Sequence, residues 1–254
     1  MLCSGNDLSL WGIFTGRCIH FSYKFEGTLR SVAFSPNVRY AFFGDSKNNI
    51  KRIHVPLLLE EKNFISDFEG HSDTITSLDI SSDDRLVLSG SEDNTMKLWD
   101  VATENEILTF YGHKGTINTV SFSPDGKFAL SCSDDSELKL WDISNGGEIR
   151  TLEKAFGPIK HAAFTPCGKF VFSANKDGTV RIRETFTGRL IGTFIYFSDN
   201  NWAVISPDGH YDTGSPEKLQ GVCLLTAEKP MKPISAVLYK KQLYVPGLIK
   251  QLLK

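Results

Sequence analysis

Two sets of residues in this sequence are of types that could do chemistry. His71, Ser89, Asp93 and Trp99 make one, and His113, Ser131, Asp135 and Trp141 make the other. The steps within each set agree: 18 residues from His to Ser, 4 from Ser to Asp and 6 from Asp to Trp. Histidine, serine and aspartate together suggest acyl transfer, in which imidazole takes the hydroxyl proton and carboxylate orients the imidazole. That reaction needs an exposed serine and an oxyanion hole. A set that returns with a tryptophan in each copy reads more simply as structural than as catalytic. A further pair, His210 and Cys223, has no catalytic context. Cys223 sits in the apolar run GVCLL and reads as a thiol that packs like a small hydrophobe.

The elements that must position these residues repeat. His113 follows His71 by 42 residues, and Trp141 follows Trp99 by 42. Ser82 of ISSDDR, Pro124 of FSPDGK and Pro166 of FTPCGK are also 42 apart, and Pro207 of ISPDGH follows after 41. Pro36 of FSPNVR precedes Ser82 by 46, which places about four extra residues near Pro56 to Glu61. Within residues 71–112, ITSLDI, LVLSGS, MKLWDV and EILTFYG read as four short strands joined by polar turns. No segment has a helical period. A four-stranded unit cannot bury both faces alone, so it must stack on its neighbours.

Composition narrows the function classes. Lys plus Arg is 28 against 30 for Asp plus Glu, a net charge of −2, which argues against a phosphate-backbone binder. No apolar run is long enough to span a membrane, and the N-terminal residues lack the pattern of a secretion signal. Five cysteines, an odd number with no C-x-x-C pair, point to a reducing compartment, the cytoplasm, and give no metal-binding spacing. No Gly-rich phosphate loop opens a helix, and no cofactor is expected.

The joint return of GH and WD dipeptides near a period of 42, with SPDG turns between them, resembles the WD-repeat family. The resemblance implies an all-β fold, a β-propeller of four-stranded antiparallel blades. The blades fall at 28–69, 71–112, 113–154 and 155–196, with a partial blade at 1–25 in which Trp11 takes the WD tryptophan place. The propeller spans residues 1–212. Its closing strand, at 200–212, is expected to be an innermost strand that completes the partial N-terminal blade. Either about five blades close a ring, or the chain is an arc of a larger ring. Residues 213–254 are a non-repeat extension with a short terminal helix at PGLIKQLLK. The stretch from 202 onward resembles the segment that follows propellers in bacterial multidomain proteins.

The family also implies roles. The resemblance implies that the two sets are its structural tetrads, in which the carboxylate fixes the imidazole, the imidazole bonds the hydroxyl and the hydroxyl takes the indole N–H. The unit at 155–196 keeps only Ser173 and Asp177, with Ala155 and Arg183 where His and Trp should stand. That blade is expected to be less well tied. Leu57, Leu58 and Leu59 read as part of a buried outer strand. The usual contact face holds the residues just after GH and just before the tetrad Asp. By position these are Ser72, Thr74, Glu92, Lys114, Thr116 and Asp134, then Phe156, Pro158 and Lys176 in the degenerate unit. The expected function is a non-catalytic scaffold for other proteins or peptides, without nucleic acid or membrane. The alternative is a regulatory arm of a larger bacterial effector, protease-like for example.

Overall fold

The computed structural model describes residues 2–4, 7–11, 18–21, 27–55, 65–197, 201–214 and 245–253. These residues form antiparallel sheets that follow one another in chain order. The first has three strands, β1 (Leu2–Ser4), β2 (Asp7–Trp11) and β3 (Cys18–Phe21). Next come β4 (Leu29–Phe34), β5 (Tyr40–Asp45), β6 (Ile50–His54) and β7 (Ile65–Phe68). The third sheet holds β8 (Ile75–Ile80), β9 (Leu86–Ser91), β10 (Met96–Asp100) and β11 (Glu106–Phe110). The fourth holds β12 (Ile117–Phe122), β13 (Phe128–Ser133), β14 (Glu137–Asp142) and β15 (Glu148–Lys154). The last begins with β16 (Ile159–Phe164), β17 (Phe170–Asn175), β18 (Thr179–Glu184) and β19 (Leu190–Tyr196). It continues through β20 (Trp202–Ile205) and β21 (Tyr211–Thr213). The four-stranded antiparallel sheets are the blades of a propeller.

The turns explain why the strands reverse where they do. Between β8 and β9, Ser81 Oγ donates to Asp83 Oδ1 at 2.6 Å, and the Arg85 N–H reaches the same oxygen at 3.2 Å. Ser123, Asp125 and Lys127 repeat the arrangement at 2.6 and 3.2 Å. Asn37 takes the aspartate's place on Ser35, at 2.8 Å. In the last blade Cys167 stands there, with its Sγ 3.3 Å from Thr165 Oγ1.

The core lies between blades. Each first strand slips register after its first or second residue, at Leu29/Ser31, Ile75/Ser77, Ile117/Thr119 and Ile159/His161. Such bulges re-aim a side chain, and Ile75, Ile117 and Ile159 are fully buried. Ile75 packs with Phe42, Ile50 and Phe68 of the blade before, and Ile117 packs with Leu88, Met96 and Phe110. Each buried isoleucine contributes roughly 1.5–3 kcal/mol. The seat requires a missing side chain: a Cβ on Gly44 would lie 2.3 Å from Ile75 Cγ2, and one on Gly90 would lie 2.7 Å from Ile117 Cγ2. Side chains also stitch neighbouring first strands. Asp79 Oδ2 accepts the Phe122 N–H at 2.7 Å, Ser77 Oγ accepts that of Val120 at 3.2 Å, and Asn118 Nδ2 donates to the Ile159 carbonyl at 2.9 Å.

The end of the chain departs from expectation. β20 was expected to be an innermost strand that completes the first sheet. It pairs instead with β19, the outer strand of the preceding blade, with Tyr196 opposite Trp202 and Thr193 opposite Ile205. Trp202 stacks on Phe194, with ring centroids 6.1 Å apart and planes at 17°. The physical reason is local. β19 is an outer strand whose free N–H and C=O groups take up the next strand, and a short hairpin costs little closure entropy. The terminal helix α1 (Leu248–Leu252) then lies on the same edge, with Leu248 buried and Leu252 against Gly192. Gly247 N–H donates to Asp212 Oδ2 at 2.7 Å, and Val245 N–H to the Tyr211 carbonyl at 2.8 Å. Leu57 to Leu59, the extra residues near Pro56 and Cys223 lie outside the described residues.

Candidate functional site

The two repeated sets assemble in the same way. In the blade of β8–β11, His71 Nδ1 lies 2.7 Å from Asp93 Oδ2, and His71 Nε2 lies 2.7 Å from Ser89 Oγ. The Trp99 indole donates to Ser89 Oγ at 2.8 Å. In the next blade the three distances are 2.8 Å for His113–Asp135, 2.7 Å for His113–Ser131 and 2.8 Å for Trp141–Ser131. The carboxylate fixes Nδ1 as the protonated nitrogen, so Nε2 accepts the serine hydroxyl, which in turn accepts the indole N–H. Burial opposes ionisation of Asp135, but the His113 hydrogen bond and the Lys114 and Glu137 N–H groups outweigh it and hold the carboxyl at about 2. Asp93 is likewise held well below the usual carboxylate range against burial, by His71, Thr95 and the Ser72 N–H.

This geometry decides between the chemical readings of the set. Ser89 and Ser131 are both 0% exposed, so no acyl group can reach either hydroxyl. Each indole N–H also occupies one of the two lone pairs of that hydroxyl. The tetrad ties the connection before a first strand to the second and third strands of its blade. It explains the glycine of GH too: a Cβ on Gly70 or Gly112 would lie 2.9 or 3.0 Å from the tryptophan ring edge. His161, on β16, is exposed, with Nδ1 3.3 Å from Thr119 Oγ1, and His210 Nδ1 lies 2.7 Å from Asp208. Among the described residues, no group of three or more His, Cys, Asp or Glu could hold a metal ion, and no helix is long and apolar enough to cross a membrane.

Two networks were not read from the sequence. Lys97 is buried and its ammonium reaches Glu106 at 2.6 Å and Thr109 at 2.8 Å. Lys139, Glu148 and Thr151 repeat this at 2.9 and 3.0 Å. The matching offsets were the available signal. The second network ties the degenerate blade. Glu153, whose side chain is 0% exposed, accepts the Ser173 hydroxyl at 2.6 Å. It pairs with Arg181 through Nη1 and with Arg183 Nε at 3.3 Å. Arg181 also reaches Asp177 at 2.5 Å. Glu153 therefore does for Ser173 what His113 does for Ser131, and the loosely tied blade expected here has its own anchor. The signal lay in the joint change: Trp becomes Arg183 and Lys becomes Arg181, so two guanidinium groups need a buried carboxylate.

Above these anchors lies the expected contact face. Ser72, Glu92, Lys114, Asp134, Phe156 and Lys176 are exposed, and Thr116 and Pro158 are half-buried. Thr74 is buried, which removes it from the face: it precedes the fully buried Ile75, and its N–H is turned onto Asp73 at 2.7 Å. The backbone N–H groups of Ser72 and Lys114 are held by the tetrad carboxylates at 3.0 and 2.8 Å.

Blades whose cores lie between them and whose strands are tied by recurring His–Ser–Asp–Trp networks define a β-propeller. The repeat family is also found directly: the family model "WD domain, G-beta repeat" matches residues 62–100, 104–142 and 146–183. These three stretches are WD repeats, set in a fold of propeller blades. Each matched repeat begins in or beside the outer strand of one blade and ends in the third strand of the next, so the sequence unit itself links neighbours. WD repeat-containing protein 18 of Danio rerio is 33% identical over 105 residues, which is 38% of this chain and 24% of that protein. Set1 complex component swd2 of Schizosaccharomyces pombe is 37% identical over 105 residues, 41% of this chain and 28% of that protein. The matches thus span about a quarter of these relatives' length. A chain in the crystal structure of the mitotic checkpoint complex shares the fold, with a TM-score of 0.69 and 18% identity over 81% of this chain and 71% of its own. The relatives are eukaryotic, and they give no support to the likeness of residues 202–254 to a bacterial segment.

Proposed function

We propose that this chain is a non-catalytic scaffold that binds other proteins through the face on which Ser72, Glu92, Lys114, Asp134, Phe156 and Lys176 stand. The observation that carries the reading is the contrast across each anchor. The hydroxyls that could react are sealed at 0% exposure, while the residues beside them are exposed and differ in every blade. A constant, rigid base with a variable rim suits recognition, since the base preorganises whatever the rim contacts. One of the similar proteins is named as a component of a complex, which agrees with such a role.

The test is affinity capture from a native lysate with the chain as bait, beside a Glu92→Lys/Lys114→Glu bait of equal thermal stability. A protein held by the first and lost from the second supports this face. Equal retention by both baits places binding elsewhere and removes the proposal.

A further inference from the structure

The rim is not electrically uniform. On the blade of β8–β11 it is acidic, with Asp73 and Glu92 exposed. Across the next two blades it turns basic, with Lys114, Lys160 and Lys176 exposed; the exposed carboxylates among them are Asp177, which pairs with Arg181 at 2.5 Å, and Asp134. Asp134 is already taken: Lys160 Nζ reaches its Oδ1 at 2.6 Å and Asn118 Nδ2 reaches the same oxygen at 2.7 Å. Burial works to raise the Asp134 carboxyl, but Asn118, Lys160 and the nearby charge of Lys176 together hold it below its ordinary value. The Lys160–Asp134 pair is neutral, so Lys114 and Lys176 give this part of the face a net positive charge. Neither makes an ion pair with a described residue.

Phe156 stands in the same place. It occupies in its blade the position that Lys114 has in the blade before, one residue past the GH histidine place. Its ring is fully exposed, at 103% of its reference surface, and the next residue, Gly157, has open space around it. The connection is nonetheless fixed from below: the Lys176 N–H donates to the Pro158 carbonyl at 3.0 Å, and Ile159 is buried. An aromatic ring on a short anchored connection, flanked by cations, costs little entropy to dock against.

Resting on the scaffold reading above, we infer that this part of the rim, formed by Lys114, Phe156, Lys160 and Lys176, takes an acidic linear segment of a partner protein whose apolar side chain packs on Phe156. Carboxylates of the segment meet Lys114 and Lys176, and the acidic rim around Asp73 and Glu92 repels it and so fixes where it lies. Opposite charge gives such a contact its specificity and on-rate, while the ring supplies the apolar contact.

The test uses the full chain and a fluorescent peptide pool in which leucine or phenylalanine is flanked by glutamate and aspartate. A twin pool has lysine in place of the acids. Binding is read by anisotropy at low and at physiological salt. The acidic pool is expected to bind at low salt and weaken with salt, and the basic twin to bind at least about tenfold more weakly. Lys114→Glu/Lys176→Glu should weaken the acidic pool about tenfold, and Phe156→Ser should do so with less loss of salt dependence. Glu92→Lys should leave binding equal or tighter. Equal binding of the two pools, or a Lys114→Glu/Lys176→Glu chain that binds like the parent, overturns the inference. So does salt-independent self-association of the chain through Phe156, seen by sedimentation. The scaffold reading is judged separately: a captured protein lost on Glu92→Lys alone keeps the face and discards its acidic preference.

Discussion

Glu153 is the most consequential single position that the structure exposes. Its carboxylate is fully buried and serves Ser173, Arg181 and Arg183 at once. Glu153→Ala would leave Arg183, 17% exposed, without a counter-ion, and Arg181, 16% exposed, with only the more exposed Asp177. Removing one partner of a buried pair costs about 3–5 kcal/mol, chiefly because the remaining charge stays desolvated. Ser173 loses its acceptor as well, at a further cost of about 1–3 kcal/mol if nothing replaces it. At roughly 2–4 °C per kcal/mol for a chain of this size, the stranded charge alone should lower the melting temperature by roughly 6–20 °C. Glu153→Gln keeps an acceptor and removes the charge, so its effect should be smaller. The decisive assay is a cycle of urea titrations: Glu153→Ala, Arg181→Met/Arg183→Met, and the combination. The loss from Glu153→Ala should shrink by more than half once the arginines are gone, because there is then no charge to strand. A loss below about 1 kcal/mol, or one unchanged by removal of the arginines, would refute the reasoning that this network replaces the tetrad.

Other expectations rest on the same geometry. Gly90→Ala places a Cβ 2.7 Å from Ile117 Cγ2 and 2.9 Å from Val120 Cγ1, so it should cost about 1–3 kcal/mol by urea unfolding, and the cost should shrink in an Ile117→Ala background, which lacks the Cγ2 methyl. His113→Ala strips Asp135 and Ser131 of their partner and should cost about 2–4 kcal/mol; loss of a hydrolytic turnover on this change would contradict the sealed-hydroxyl reading. The carboxyl of Asp135, held at about 2 against an ordinary 3.8, gives stability that is present above pH 4 and is lost as pH falls toward 2. Asp79 has the opposite sign. Burial raises its carboxyl, more than the Phe122 and Ile80 N–H groups lower it, so its ionised form weakens the fold as pH rises. In melts at neutral pH, Asp79→Asn should therefore hold or raise the midpoint while Asp135→Asn lowers it. The same sign for both would show that burial and hydrogen bonding have been weighed wrongly.

Periodicity alone determined most of the architecture. The 42-residue return of GH, SPDG and WD sets blade boundaries, because each landmark answers a local need: glycine yields to the tryptophan edge, serine and aspartate close a turn, and histidine completes a network. Such needs are met within one repeat or its neighbour, so they leave a mark at fixed spacing. The tetrads at His71 and His113 were legible for that reason. Three features were not. Glu153 serves as an anchor only because folding brings Arg181 and Arg183, 28 and 30 residues on, to one buried point. Thr74 drops out of the contact face because the burial of Ile75 turns the strand inward. The pairing of β20 with β19 is a choice between two sheet edges with equal claims on an apolar strand, and repeat spacing cannot rank them. In each case the deciding term is an interaction between segments that share no period. Desolvation and edge pairing depend on which groups end up adjacent, and only the tertiary structure fixes that.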